Sequence, residues 1–466
     1  MLNCVLRVFL TIVKTHCSVN ILQNIFATIK LDLYFTRLDE EFALGKKSEL
    51  TILHTADWHL GHQLHGVSRS IEHQAFLDWL ITTVENEHAD VLIVAGDIFD
   101  TANPSALAVQ QLNSFIVQLN KRCPNAACIL IAGNHDSAAR LESLSPLWQS
   151  HNTWLTGRVL DESGEFDPQK LLIPIKDKLG EIRAWCAAMP FLRPSDLPVI
   201  SQDNEATDTL VDGVAARYQQ ILETAQSVQN EGQFLIATGH CYMVNSQLSE
   251  LSERRVLGGN QHALPATVFS DNWDYVALGH LHLAQKVGSE TVRYSGSPIP
   301  LSLGEQHYPH QLLKVTLGQG DPAKIEPVKI PRTIEMMRVP ARSTAVLDDV
   351  LAQLEDISFD HSLDAEHWPF LEVHVLLDKP QSGLRQRIEQ VIEEQPVRLL
   401  KISSHYQNLA GRELTGDKPQ QELQDLKPDD VFIKCYQQTY PGQPSEQLNE
   451  AFNHCCEYAQ KDGAPS

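Results

Sequence analysis

TILHTADWHLGH, residues 51–62, is an apolar run that ends in two side chains able to bind a metal ion, Asp57 and His59. Residues i and i+2 of a β-strand point to the same face, so a strand through this stretch would direct the carboxylate and the imidazole to one spot. One such pair is weak support, because many strands simply end in polar residues at the surface. A functional site here requires further ligands from elsewhere in the chain.

The same unit, a short apolar run followed by a polar motif, recurs along the sequence. It is found in DVLIVAGDIFD (90–100), CILIAGNHD (128–136), QFLIATGH (233–240) and YVALGHLH (275–282). Runs of Val, Ile, Leu and Ala are typical of strands buried on both faces. Stretches with helical spacing lie between them, such as IEHQAFLDWLITTVENE (71–87) and SALAVQQLNSFIVQLN (105–120). This alternation predicts an α/β fold, a layered sandwich of sheets and helices.

The polar motifs all follow predicted strands, which is where open α/β sheets bind their ligands. The candidate metal ligands are Asp57, His59, Asp97, Asn134, His240, His280 and His282. Carboxylates, imidazoles and an amide oxygen suit Mn, Fe or Zn. The absence of cysteine from this set of candidate ligands argues against a structural zinc site. Any single histidine among 20 is more often a core or surface residue than a ligand. The repeated motif nevertheless favours a two-metal site, which can clamp the attacking and leaving oxygens of a phosphoryl displacement.

Composition narrows the class of protein. A net charge of -22 argues against a protein that coats nucleic acid unaided, because such binding depends on neutralising phosphates. Nucleic acid stays possible as a substrate, since metal ions can supply local positive charge. Nine cysteines without a CxxC pair favour a reducing, cytoplasmic location. No GxxxxGK[ST] loop occurs, so any ATP dependence must come from a partner.

The chain divides into four parts by pattern. Residues 1–49 form an unassigned extension, whose uncharged run at 15–29 is short for a membrane span, so no membrane association is expected. Residues 50–331 hold the metal motifs. Residues 332–405 contain a compact β-α-β unit built from PFLEVHVLL, SGLRQRIEQVIEEQ and VRLLKISS. Residues 406–466 comprise a polar linker and a C-terminal helix with one apolar stripe, formed by Leu448, Ala451, Phe452 and Cys455.

The motifs resemble the signature of the calcineurin-like metallophosphoesterases: D-x-H, G-D-x-x-D or H, G-N-H-D or E, G-H and G-H-x-H. Within that superfamily, the sequence is similar to the SbcD family of bacterial nuclease subunits. The stretches that carry this likeness include ILHTADWHLG, VAGDIFDTANP, AGNHDS, YVALGHLHLAQ and RYSGSPIPLS. The likeness does not cover residues 1–49, which an upstream, misassigned start codon would explain.

The resemblance implies a role for each site residue. One metal ion would be held by Asp57, His59, Asp97 and His282, and the second by Asp97, Asn134, His240 and His280, with Asp97 bridging. His135 corresponds to the family's catalytic histidine, which contacts the scissile phosphate and assists the leaving group. We expect Asp136 to orient the His135 ring. Asp100 stands where some relatives carry histidine and is expected near the site. The two divalent ions are expected to be Mn²⁺.

The resemblance also implies a function. It is that of an ATP-regulated complex that acts as a double-strand exonuclease and a single-strand or hairpin endonuclease in DNA recombination, replication and repair. The partner would be an SbcC-type coiled-coil ATPase, in a heterotetramer built on a homodimer. The β-α-β unit would cap the active site and help to bind DNA. The C-terminal helix would dock on the ATPase, with Leu426, Val431 and Phe432 as further anchors.

Two alternatives remain open at this point. The metal motifs alone also fit a small-molecule phosphodiesterase or phosphatase of the same superfamily. The apolar stripe of the C-terminal helix could equally pack on the chain's own domains.

Overall fold

The computed structural model describes residues 49–198, 209–244, 246, 263–378 and 381–406, together with Phe432, Tyr436, Gln437, Tyr440, Leu448 and Phe452. Residues 1–48 and most of the chain after 406 lie outside the described part.

Strands and helices alternate through most of this part of the chain. The strands are β1 (Leu50–Thr55), β2 (Gln63–Leu64), β3 (Val67–Ser68), β4 (Val91–Ala95), β5 (Ala127–Ile131), β6 (Thr153–Thr156), β7 (Leu172–Lys176), β8 (Ile182–Ala187), β9 (Phe234–His240), β10 (Tyr275–Gly279), β11 (Gln285–Val287), β12 (Ser289–Tyr294), β13 (Gln311–Leu317), β14 (Lys324–Lys329), β15 (Met336–Val339), β16 (Ala345–Val346), β17 (Phe370–Leu377) and β18 (Arg398–Tyr406). The α-helices are α1 (Ser70–Asn86), α2 (Ala106–Arg122), α3 (Ala138–Glu142), α4 (Ser145–Gln149), α5 (Thr209–Val228), α6 (Leu347–Glu355) and α7 (Leu384–Ile392).

Two six-stranded sheets form the centre of the catalytic part. The first has the order β14-β13-β1-β4-β5-β6, and the second has the order β11-β12-β10-β9-β8-β7. Strands β1, β4, β5 and β6 run parallel, as do β8, β9, β10 and β12. Ile52 and Ile93 of the first sheet share one core with Ile236 and Tyr275 of the second, so the sheets pack face to face.

Helices cover the outer faces of both sheets. Phe76 and Leu80 of α1 and Phe115 of α2 pack on the first sheet, in a core that also contains its Leu53 and Leu92. Helix α5 covers the second sheet through its own apolar face, which includes Tyr218 and Ile221. Successive strand residues thus enter different apolar cores, which explains the continuous apolar runs in the sequence. The predicted layered α/β sandwich is confirmed, with the layers in the order helix, sheet, sheet, helix.

The predicted β-α-β unit is part of a larger third sheet. Strand β17 pairs with β15, β16 and β18, and α7 lies in the sequence between β17 and β18. The β-α-β prediction omitted β15, β16 and α6, because strands of four and two residues are too short to show a pattern of their own. Phe370 and Met336 of this third sheet share an apolar cluster with Leu64 and Leu303 of the catalytic part. The third sheet therefore packs directly on the catalytic part.

Residues 406–466 cluster as a second compact unit, separate from residues 1–405. Within it, the Phe432 and Phe452 rings stack with centroids 4.1 Å apart, and Leu448 is 40% exposed. The other residues proposed for docking, Leu426, Val431, Ala451 and Cys455, lie outside the described residues. In the described part of the chain, no helix is long and apolar enough to cross a membrane.

Candidate metal centre

The strand-end motifs of both sheets meet at one place. Three groups of side chains have ligand atoms that all lie within 4.8 Å of one another: Asp57, His59 and His282; Asp97, His240 and His280; and His59, Asp100 and His135. Each motif follows the carboxyl end of a parallel strand or, for His240, is the last residue of one. The structure therefore brings the predicted ligands together as sheet geometry requires.

Asp57 and His59 converge for a reason other than the one predicted. Strand β1 ends at Thr55, so neither residue alternates along a strand face. Both adopt left-handed backbone conformations, with φ of 55° and 47°. Asp97 (φ 49°) and His280 (φ 103°) do the same. Such conformations are costly for residues other than glycine and concentrate at functional sites, so tight turns past the strands are what aim these side chains.

Trp58 fixes the turn between the two ligands. Its side chain is fully buried and makes edge-to-face contacts with Phe76 and Phe115, at centroid distances of 5.6 and 5.3 Å. The indole nitrogen donates a hydrogen bond to Thr55 Oγ1 at 3.1 Å. Because Trp58 is held in the core beneath the helices, its two neighbours are turned toward the site.

Glycines allow the motifs to approach closely. Gly96 has φ 92°, and a Cβ there would lie 2.3 Å from His240 Nδ1. A side chain at this position would therefore be strained and would also displace the imidazole. The AGD motif thus places Asp97, in the turn after strand β4, directly beside His240 at the end of β9.

In the first group, Nε2 of His59 is a buried nitrogen placed as a metal ligand would be. Asp57 is fully buried, and its carboxylate accepts a hydrogen bond from the His280 backbone N–H at 2.9 Å. His59 Nδ1 is 3.2 Å from Asp100 Oδ1, which leaves Nε2 for the centre. Nε2 is buried without a hydrogen-bond partner, 3.5 Å from Asp97 Oδ2. An unpaired buried imidazole nitrogen facing carboxylates is what a bound cation would satisfy.

In the second group, Asn134 lies beside both histidines, and Asp97 lies beside His240. Asp97 Oδ2 lies 3.3 Å from His240 Nε2. Asn134 Oδ1 lies 2.9 Å from His240 Nε2 and 3.1 Å from His280 Nδ1. His240 Nδ1 donates to the Ala95 carbonyl oxygen at 2.9 Å, so its Nε2 faces the other ligands. Asp97 is within reach of both groups, as a bridging carboxylate must be.

Electrostatics at the second group suit cation binding. Burial, followed by repulsion from His240, lowers the pKa of His280 to about 3, so the ring is neutral near pH 7. Burial alone would lower the pKa of His240, but attraction to Asp97 outweighs it and raises the pKa to about 9. Burial would likewise raise the pKa of Asp97, yet its interactions with His240 hold that pKa well below the ordinary range. His240 is therefore protonated near pH 7, and its positive charge lies beside the Asp97 carboxylate. A metal ion bound by His240 would displace this proton.

His135 lies beside the first group, with its ring centroid 4.8 Å from that of His59. Its Nδ1 donates to the Asp100 carbonyl oxygen at 2.8 Å. The Asp136 carboxylate, which we expected to orient this ring, instead accepts backbone N–H groups of Ile98, Phe99 and Gly133 at 2.9–3.0 Å. The orienting contact thus belongs to Asp100, and Asp136 holds together the loops that carry Asp97 and His135.

Two groups that orient ligands were not predicted. The Ala95 carbonyl orients His240, and Glu305 lies 3.1 Å from His282 Nδ1. A main-chain carbonyl carries no residue-specific signal, and GEQ at residues 304–306 does not follow a strand-end motif of the kind that identified the ligands.

Two protein-family models match the sequence of this chain. The calcineurin-like phosphoesterase model matches residues 50–284, and the model described as type 5 capsule protein repressor C-terminal domain matches residues 332–440. The fold and the paired ligand groups define a calcineurin-like phosphoesterase, a metal-dependent hydrolase of phosphodiester bonds. Among solved structures, a dimetal phosphatase from Danio rerio is 12% identical, with a TM-score of 0.33 over 60% of this chain and 99% of that one, a likeness too weak to add to this assignment.

Relatives define the particular family. The SbcD component of nuclease SbcCD from Rhodobacter capsulatus is 35% identical over 390 residues, covering 83% of this chain and 94% of that protein. The Escherichia coli K12 protein of the same name is 33% identical, covering 82% and 92%. The Bacillus subtilis protein is 30% identical, covering 86% and 97%. The chain belongs to the SbcD family and is a nuclease subunit.

Proposed function

We propose that this chain is the nuclease subunit of an ATP-regulated SbcCD-type complex that degrades double-stranded DNA as an exonuclease and cuts single strands or hairpins as an endonuclease. Its setting would be DNA recombination, replication and repair in the cytoplasm. The observation that carries the proposal is the position of Asp97, a buried carboxylate within 3.3–3.5 Å of His240 and His59 in two adjoining ligand groups. Such an arrangement suits two ions that act together on one phosphate.

We assign the metal ligands as follows. Asp57, His59, Asp97 and His282 would hold one ion, and Asp97, Asn134, His240 and His280 the other, with Mn²⁺ as the expected metal. Bound there, the ions would neutralise charge on the phosphate and make an attacking water more acidic. The proposal draws support from the mixed imidazole and carboxylate donors and from the unpaired His59 Nε2.

His135 is the proposed catalytic residue. Its Nδ1 hydrogen is committed to the Asp100 carbonyl, so Nε2 is the atom left to act on the substrate. With the ring protonated on both nitrogens, Nε2–H would donate a hydrogen bond to the scissile phosphate and then pass its proton to the departing oxygen, leaving the ring neutral with its hydrogen on Nδ1. Asp100 serves two imidazoles, because its carboxylate contacts His59 and its carbonyl contacts His135. One residue would thereby set the distance between a ligand and the proton donor.

The remaining parts of the chain suggest how DNA is chosen over small esters. We propose a nuclease domain at residues 50–331, a capping domain at 332–405 and a linker with a docking helix at 406–466. The third sheet (β15–β18), the capping sheet of this domain, packs on the catalytic part through Phe370 and Leu303. A small-ester hydrolase has no need of such an addition. The docking helix would bind an SbcC-type coiled-coil ATPase in a heterotetramer built on a homodimer. The ATPase would supply the nucleotide dependence for which this sequence has no GxxxxGK[ST] loop.

The test compares Asp97→Asn with the wild-type chain on linear duplex DNA and on a chromogenic phosphodiester, both with Mn²⁺. Loss of activity on both substrates is expected, because the shared carboxylate would serve both ions. Asp271→Asn, at an exposed loop position of the same domain, is the matched control and should retain activity. Full activity in Asp97→Asn would overturn the site assignment. A wild-type chain that hydrolyses the small diester but releases no nucleotides from DNA, alone or with its ATPase, would overturn the nuclease proposal.

A further inference from the structure

We propose that Glu305 is a positioning residue that orients His282 toward the candidate metal centre. Glu305 is fully buried, and its Oε1 lies 3.1 Å from His282 Nδ1, 23 residues away in sequence. The inference rests on the proposed function in so far as His282 is taken to be a metal ligand. It adds a residue outside the strand-end motifs to the machinery of the site.

The carboxylate of Glu305 is itself held firmly. Oε2 accepts the Leu301 backbone N–H at 2.8 Å, and Oε1 also accepts the Ser302 hydroxyl at 3.2 Å. The Glu305 carbonyl accepts the Tyr308 N–H at 2.9 Å and lies 3.2 Å from His310 Nε2. Both ends of the residue are therefore fixed, and the carboxylate cannot rotate away from His282 without losing hydrogen bonds in a buried place.

The turn that carries Glu305 is anchored on both sides. Glu305 ends a short 3-10 helix, Leu303–Glu305, and Leu303 packs in the cluster that contains Phe370 of the capping sheet. Upstream, the Pro300 carbonyl accepts a hydrogen bond from Arg69 Nη1 at 2.6 Å. The Arg69 guanidinium is fully buried, pairs with Glu72 and lies 5.3 Å from the Phe370 ring centroid. The position of Glu305 is thus set by the same contacts that seat the capping sheet.

The contact decides which nitrogen of His282 can ligate. A carboxylate can only accept a hydrogen bond, so His282 Nδ1 must carry the hydrogen. Nε2 then holds the lone pair, and His282 is grouped with Asp57 and His59. His59 is arranged in the same way, because its Nδ1 faces the Asp100 carboxylate at 3.2 Å. A carboxylate behind a ligating histidine fixes the ring and makes its free nitrogen more basic.

A role in the turn alone would not account for the charge. Burying a carboxylate costs free energy unless its hydrogen-bond partners compensate for the lost hydration. A neutral amide at this position could also accept a hydrogen bond from the Leu301 N–H. The carboxylate faces an imidazole nitrogen instead of solvent, and that imidazole belongs to the candidate site. The contact with His282 therefore accounts for a carboxylate at this position.

The first measurement needs no change at Glu305. In the metal-free, full-length protein, the ¹⁵N shifts of the His282 side chain should show hydrogen on Nδ1, with His282→Gln identifying the signal by its loss. In Glu305→Gln, that preference should weaken, and Mn²⁺ titration by calorimetry should show about 10- to 100-fold weaker binding of one ion. Glu335→Gln, at an exposed position, is the matched control and should bind Mn²⁺ as the wild type does.

Each outcome decides the inference. Hydrogen on Nε2 of His282 with none on Nδ1 in the wild-type protein would overturn it, even if Glu305→Gln failed to fold. Unchanged Mn²⁺ affinity in a folded Glu305→Gln would overturn it as well. Failure of the proposed function is recognised separately, because full activity in Asp97→Asn would refute the metal site whatever Glu305 does.

Discussion

Replacing Gly133 by alanine tests the geometry of the centre without removing any proposed ligand. A Cβ on Gly133 would lie 2.1 Å from Asp97 Oδ1 and 2.3 Å from the Asp97 backbone nitrogen, whereas real Cβ contacts essentially never fall below 3.0 Å. The carboxylate oxygen must therefore retreat by at least 3.0 − 2.1 = 0.9 Å. A new rotamer of Asp97 cannot relieve the clash, because the backbone nitrogen is also too close. Gly133 does not lie in the left-handed region, so the effect would be steric alone.

The size of the effect follows from that displacement. Misplacing a catalytic group by about 1 Å can cost on the order of 100-fold in rate, so kcat for Mn²⁺-dependent diester hydrolysis should fall by about that factor. Forcing a methyl group into a packed site should also destabilise the protein by about 1–3 kcal/mol. Asp97 Oδ1 accepts the His135 backbone N–H at 2.9 Å, so the same shift would move the proposed proton donor.

The assay measures hydrolysis of a chromogenic phosphodiester over a range of Mn²⁺ concentrations, with thermal unfolding followed by circular dichroism. Gly318→Ala is the control, because its new Cβ would meet nothing closer than Asp321 Oδ2 at 3.3 Å, the end of an exposed side chain. That variant should match the wild type in both measurements. A folded Gly133→Ala with wild-type kcat and wild-type metal content would refute the assignment of Asp97 as the shared ligand.

His135→Ala should retain both metal ions and lose most nuclease activity, as metal analysis beside a DNA assay would show; an empty site would make His135 a ligand. Burial lowers the pKa of His54 to about 3, below the ordinary 6.5, so the unfolded state binds a proton that the folded state excludes as pH falls below 6.5. At pH 4, this single group should lower the free energy of unfolding by about 3 kcal/mol relative to neutral pH. Urea unfolding should therefore show a smaller loss of stability between pH 6.5 and 4 in His54→Gln than in the wild type. Parallel stability curves for the two proteins would contradict this prediction. Truncation from Leu423 onward should abolish co-purification with the ATPase and spare Mn²⁺-dependent diester hydrolysis, and normal binding by the shortened chain would exclude the docking role.

The layered fold could be predicted because its determinants are local. Strands such as Val91–Ala95 and Ala127–Ile131 are buried on both faces, so their sequences are apolar throughout and stand out between amphipathic helices. The candidate ligands were found for a related reason: parallel strands bring their carboxyl ends to one edge, so residues far apart in sequence can be assigned to one place. Strands β15 and β16 were not predicted, because segments of four and two residues are too short to show a hydrophobic periodicity.

The identity of the candidate site residues and of the strands that carry them can be read from the order of residues, because each motif directly follows its strand in the chain. The orientation of those side chains, by contrast, depends on tertiary packing. The left-handed turns at Asp57 and His59, the Asp100 carbonyl behind His135 and the Glu305 carboxylate behind His282 depend on contacts with no periodic or local signature. Orientation is set by which buried group satisfies each imidazole nitrogen, and that choice is made only when distant segments pack together.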